Sequence, residues 1–221
     1  MADSHPPYLA HHFEDLEQQK QSATLGIWLF LITEVMFFGG LFLGYIVYRG
    51  MYPEAWHLGS GKLDIVLGTV NTVVLIVSSL TMALAVRSAQ INRPKACANY
   101  LLATIVLGTA FLGIKAVEYS AKFFPGEDAA YVLIPGANFF LDSPFSNGVQ
   151  LFFSFYFTMT GMHAIHMIIG IGILAWLYVK ARQGTYHEHY YNPVEVTGLY
   201  WHFVDIVWIF LFPLLYLIGR H

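Results

Sequence analysis

The sequence predicts an all-α protein, an integral membrane bundle of five transmembrane helices with a cytoplasmic N-terminus and an external C-terminus. Three observations carry that expectation. The 221 residues are 57% apolar and only 11% charged, whereas a soluble domain carries about 25% charged residues. Five apolar segments reach the roughly 20 residues that a bilayer core requires. None of them shows the period-two alternation of a barrel strand. They run near 24–48, 65–86, 98–123, 150–179 and 196–219, inside a domain spanning 22–221, and a polar cytoplasmic tail occupies 1–21. No cleavable signal peptide is visible in that tail, which carries Glu14, Asp15 and Glu17 and no basic lead into an apolar core.

Orientation follows from the basic residues. Lys20, Arg87, Arg93, Lys95, Lys180 and Arg182 fall on the N-terminal side, and Arg49, Lys62, Lys122 and Arg220 on the other. The positive-inside rule then places the N-terminus in the cytoplasm. The net charge of −3 gives no sign of a nucleic-acid partner. The single cysteine, Cys97, cannot form an internal disulfide. His5, His11 and His12 lie in a polar tail where nothing fixes ligand geometry. The stretch Pro125 to Asn147 holds three prolines, three acids, no basic residue and several aromatics. It reads equally as an ordered external loop lying against a partner and as a solvated connector.

Each span carries polar groups that lipid alone does not explain, because an ionisable side chain in a membrane is costly and usually meets protein or trapped water. In the first, Glu34 sits mid-helix in LITEVMFF. It reads either as a proton-relay carboxylate or as interhelical glue. In the second, Asn71 offers an interhelical hydrogen bond. In the third, Lys115 and Glu118 stand at i and i+3 in GIKAVEY, a spacing that puts them on one face as an internal ion pair. In the fourth, GMHAIHMIIG carries His163 and His166, whose spacing allows both rings to face one groove. The Glu-x-x-His pair at Glu54 and His57 falls in a loop, and a di-iron bundle needs two such pairs plus two further carboxylates. Histidines bonded to Glu34 or Asp205 are therefore expected rather than a metal site. Axial haem ligation by one histidine leaves no diagnostic spacing.

The fifth span, LYWHFVDIVWIFLFPLLY, places His202 and Asp205 three apart and Trp201 and Trp208 on one stripe, with Glu195 shortly before. Counting inward from the cytoplasmic side puts Glu34 and Asp205 at a similar depth, roughly 14 Å in, so a shared polar cluster is geometrically allowed. Gly39, Gly40 and Gly44 in the first span, and Gly161, Gly170 and Gly172 in the fourth, suit close helix approach.

With these motifs in place, the chain resembles subunit III of the haem-copper oxidases. LITEVMFF, LGTVNTVVLIVSS, KAVEY, GMHAIHMIIG and VEVTGLYWHFVDIVWIFLF occur in that family's order, from about residue 22 to the C-terminus. The resemblance implies a non-redox accessory subunit in a bacterial inner membrane. It implies no catalytic or metal-ligating residue in this chain, with haem and copper held by subunits I and II. It implies packing on subunit I and support of assembly, proton uptake and sustained turnover in aerobic respiration. Glu34 matches the family's intramembrane carboxylate linked to proton uptake. Glu118, His163, His166, Glu195, His202 and Asp205 match its recurrent polar positions and, with Asn71 and Lys115, are expected to hold the bundle together.

The chain resembles the short five-helix bacterial form, starting at the equivalent of the third helix of seven-helix members. The long forms hold lipid in a cleft between their first two helices and the rest, so bound phospholipid is left open here. The glutamate at Glu34 and the Glu-Tyr of KAVEY lean toward the cytochrome c oxidase branch. Subunit III of a quinol oxidase and the accessory protein of nitric-oxide reductases are the alternatives within the family. A small membrane cytochrome and a transporter are the alternatives outside it, the latter lacking inverted halves. Residues 125–147 are the expected contact for a quinol-oxidising complex in a supercomplex.

Overall fold

The computed structural model describes residues 13–123, 146–188 and 190–217, together with Leu9 and Pro135. The tail histidines and most of the 125–147 loop lie outside the described residues. Five helices are long and apolar enough to cross a membrane. Their order is α1 (Leu16–Met51), a short α2 (Pro53–Gly61), α3 (Ile65–Gln90), α4 (Pro94–Phe123), α5 (Ser146–Arg182) and α6 (Asn192–Phe212), which passes into a π-helical turn at Pro213–Leu217. Among the described residues the only β-type pairing is an isolated bridge between His187 and Tyr190.

Helix ends reach beyond the apolar runs because capping chemistry extends them. The Asp15 carboxylate accepts from the Gln18 N–H at 2.7 Å, so α1 starts eight residues before the expected span. The Asp64 carboxylate accepts from Val66 and Leu67 and opens α3. Three residues join α3 to α4. Asn92 takes φ 54°, a left-handed conformation that asparagine tolerates. The Arg93 N–H then reaches the Ser88 carbonyl and the Asn92 N–H reaches that of Ala89, a Schellman closure. At the end of α5, Gly184 at φ 75° does the same with the Ala181 and Lys180 carbonyls.

The expected loop at Glu54 and His57 is helical. Proline opens α2, and Trp56 anchors it, buried against Tyr45, Phe152 and Phe155. At nine residues the segment is too short to register as a span.

Helices α3, α4, α5 and α6 pack as a ring of four, each against its neighbours, with α3 closing on α6. Helix α1 lies outside that ring against α6 and α5 and leaves much of its surface apolar and exposed, including Leu25, Trp28, Val35 and Met36. Trp201 and Trp208 share the stripe expected of them and are fully buried. The Trp201 indole lies between α4 and α5 where a Cβ on Gly108 or Gly170 would stand 2.8 or 2.9 Å from its ring. Of the six glycines expected at close approaches, Gly170 and Gly44 serve that purpose, and Gly39, Gly40, Gly161 and Gly172 face open space.

Pro213 supplies no N–H and widens the helix into the π turn, where the Tyr45 hydroxyl donates to the Leu214 carbonyl at 2.6 Å. Tyr45→Phe removes that donor and is expected to cost about 1 kcal/mol, seen as a lower thermal midpoint of the purified complex.

Candidate functional site

The polar groups form three separate sites, not one shared cluster. The first joins α1 to α5. Glu34 Oε2 lies 3.1 Å from His166 Nε2, and His166 Nδ1 lies 2.8 Å from the Met162 carbonyl. A carbonyl only accepts, so Nδ1 carries a hydrogen and donates it. The Glu34–His166 contact then holds one proton between its two atoms. It can exist as imidazolium and carboxylate or as imidazole and carboxylic acid, and both forms have zero net charge. The proton can therefore move across the contact without altering the charge of the site. The Tyr200 hydroxyl donates to the His166 carbonyl at 2.8 Å, and the Phe38 ring packs edge-on against the imidazole. The two side chains remain 17% and 12% exposed, so the pair sits at the rim of the bundle.

The second site lies at the end of the bundle where α4 meets α5 and the π turn. Glu118 accepts from Lys115 at 2.7 Å and from Lys122 at 3.3 Å. The Tyr156 hydroxyl donates to it at 2.9 Å and the Tyr216 hydroxyl at 2.7 Å. Lys115, Glu118 and Lys122 are all buried. Two lysines face one carboxylate, and aromatic faces meet the excess charge. Lys115 Nζ lies 5.1–5.5 Å from the ring centroids of Tyr119, Tyr156, Trp208 and Tyr216, within cation–π range. Tyr119 is tied in turn to Thr160. The Lys115–Glu118 pair was legible from its spacing. Lys122, Tyr156 and Tyr216 were not: Lys122 read as a surface charge, and the tyrosines come from other elements.

The third site lies between α3 and α6. His202 Nδ1 lies 2.7 Å from Ser79 Oγ. Asp205 is 3% exposed, and neither of its carboxylate oxygens has a hydrogen-bond partner among the described residues. The expected bond from a histidine to Asp205 is therefore not formed. His163 and His166 point apart. The His163 Nε2–H donates to the Val204 carbonyl at 3.1 Å, and its ring packs on Phe111 and Trp208 inside the ring of four. Asn71 is fully buried, but neither atom of its amide has a partner among the described residues, so the expected interhelical bond is absent there. Glu195 sits in the first turn of α6, where an acid complements the helix dipole. Among the described residues, no three His, Cys, Asp or Glu side chains converge as metal ligands.

Fold and polar groups together define an integral membrane helical bundle held by internal pairs, with one proton-sharing pair at its rim. The family profile described as cytochrome c oxidase subunit III matches residues 8–146 and 137–220. Cytochrome c oxidase subunit 3 of Thermostichus vulcanus is 31% identical over 197 residues, covering 89% of this chain and 87% of that relative. The subunit 3 of Alkalihalophilus pseudofirmus is 29% identical over 214 residues, covering 96% and 94%. A probable quinol oxidase subunit 3 of Staphylococcus saprophyticus is 25% identical over 214 residues, covering 96% and 98%. This chain belongs to the cytochrome c oxidase subunit III family of the haem-copper oxidases, and membership implies association with other oxidase subunits.

Proposed function

We propose that this chain is the non-redox accessory subunit of a proton-pumping terminal oxidase of the cytochrome c type in a bacterial inner membrane. It packs on subunit I with its N-terminus cytoplasmic, and it supports assembly, proton uptake and sustained turnover. Haem and copper reside in the partner subunits I and II. The observation that carries this reading is the Glu34–His166 contact, which can pass a proton at constant net charge and sits at the rim rather than sealed inside. Bacterial relatives, such as those of Thermostichus vulcanus and Alkalihalophilus pseudofirmus, support the location.

Glu34→Gln keeps the shape and hydrogen-bonding capacity of the side chain but cannot ionise. The variant complex is expected to assemble at normal yield and then to lose oxidase turnover several-fold sooner than the parent during continuous assay. Unchanged assembly together with unchanged turnover would leave the carboxylate no role in proton supply.

A second reading has its own support, because relatives named quinol oxidase subunit 3 match nearly as much of the chain. Polypeptide composition, haem spectrum and donor preference of the purified complex separate the two.

A further inference from the structure

Helices α3 and α6 enclose a groove of about 390 Å³ that opens on the outside of the bundle. Its floor is polar, formed by Ser79, His202 and Asp205, and its rims are Ile76, Leu80, Ile206 and Ile209, each about half exposed. Asp205 is the informative residue. It is buried by its own chain yet has no donor among the described residues, since the nearby Ser79 hydroxyl is engaged with His202. A buried acceptor left without a partner is costly, so a donor from outside the chain is required.

The position of Asp205 narrows the source of that donor. It stands thirteen residues after Asn192 and twelve before Leu217, roughly 18–20 Å from either end of α6 and its π turn. Headgroups stay at the membrane surface and cannot reach that depth. Phospholipid acyl chains can line the rims but donate nothing. Ser79 and Ala83 both line the groove, one helical turn apart, and a small-xxx-small spacing lets a second helix approach closely. The exposed face of α3 continues along Val66, Val70, Val73, Val77, Leu80 and Leu84, a four-three spacing that suits a helix packed along its length.

We propose that this groove seats a membrane-spanning helix of a neighbouring oxidase subunit, one of whose side chains donates a hydrogen bond to Asp205. The proposal deepens the accessory role given above, and rests on it, by assigning the docking face.

The test uses the intact complex in native membranes. A benzophenone amino acid is placed at Leu80 and irradiated, and the adduct is identified by mass. A covalent product with another polypeptide of the complex is the expected result. A product with lipid or with a small lipophilic alcohol, or no product, overturns it. In parallel, Asp205→Leu is expected to lower retention of this chain on the detergent-solubilised complex several-fold, whereas Asp205→Asn, which keeps an acceptor oxygen, retains most of it. Equal retention in both variants also counts against the proposal. A complex without haem-copper pigment would defeat the accessory role separately, because the crosslink reports its partner whatever the pigments.

Discussion

Glu118→Ala is expected to destabilise the bundle by about 3–5 kcal/mol, the range for breaking a buried ion pair. The substitution removes the one carboxylate shared by Lys115 and Lys122 and strands both ammonium groups where they are almost wholly enclosed. It also takes the acceptor from the Tyr156 and Tyr216 hydroxyls. The aromatic faces around Lys115 soften the loss for one lysine, but Lys122 has a ring contact with Tyr156 alone. Glu118→Gln should fall between parent and alanine, because the amide still accepts hydrogen bonds but cannot balance charge. Thermal loss of helicity and of subunit retention in the purified complex measures both variants. An alanine variant as stable as the parent would mean that the cluster contributes nothing net.

Trp201→Ala is expected to cost a similar amount, about 3–5 kcal/mol, as large-to-small changes of buried aromatics do. The indole fills the space that Gly108 and Gly170 leave on two facing helices, and its Nε1–H donates to Ser78 at 3.0 Å. Its removal opens a cavity at the junction of α3, α4, α5 and α6 and leaves a buried hydroxyl short of a donor. In a bilayer, contact between close-packed atoms carries much of helix association, so the ring's lost dispersion contacts weigh heavily. Trp201→Phe should recover most of the packing and none of the hydrogen bond. Detergent-titration midpoints of the three proteins give the comparison, and an alanine midpoint equal to the parent's would deny the indole that packing role.

The five spans were legible because their hydropathy is long and continuous, and Lys115 with Glu118 because both lie on one helix at a spacing that fixes their meeting. Pairings between helices were not legible. Glu34 and Asp205 share a depth, but depth says nothing about the azimuth of a side chain around its axis. Glu34 turns to His166 on α5, while Asp205 opens toward α3. Lys122 was counted among the surface charges because it ends an apolar run, and burial by Tyr156 appears only when α5 is in place. The nine-residue α2 escaped notice for want of length, although Trp56 within it was the signal of a buried anchor.

The π turn at Pro213–Leu217 has a consequence for how this chain tolerates changes in length. A wide turn accommodates one residue more than an α-helix would, so it acts as a phase shifter between the two halves of the last span. Leu215 and Tyr216 are both buried because of it. Deleting one residue there would restore ordinary winding and swing the end of the helix by about 100°, carrying the phenol of Tyr216 away from Glu118. The angular position of that single hydroxyl is thus set by a proline three residues upstream.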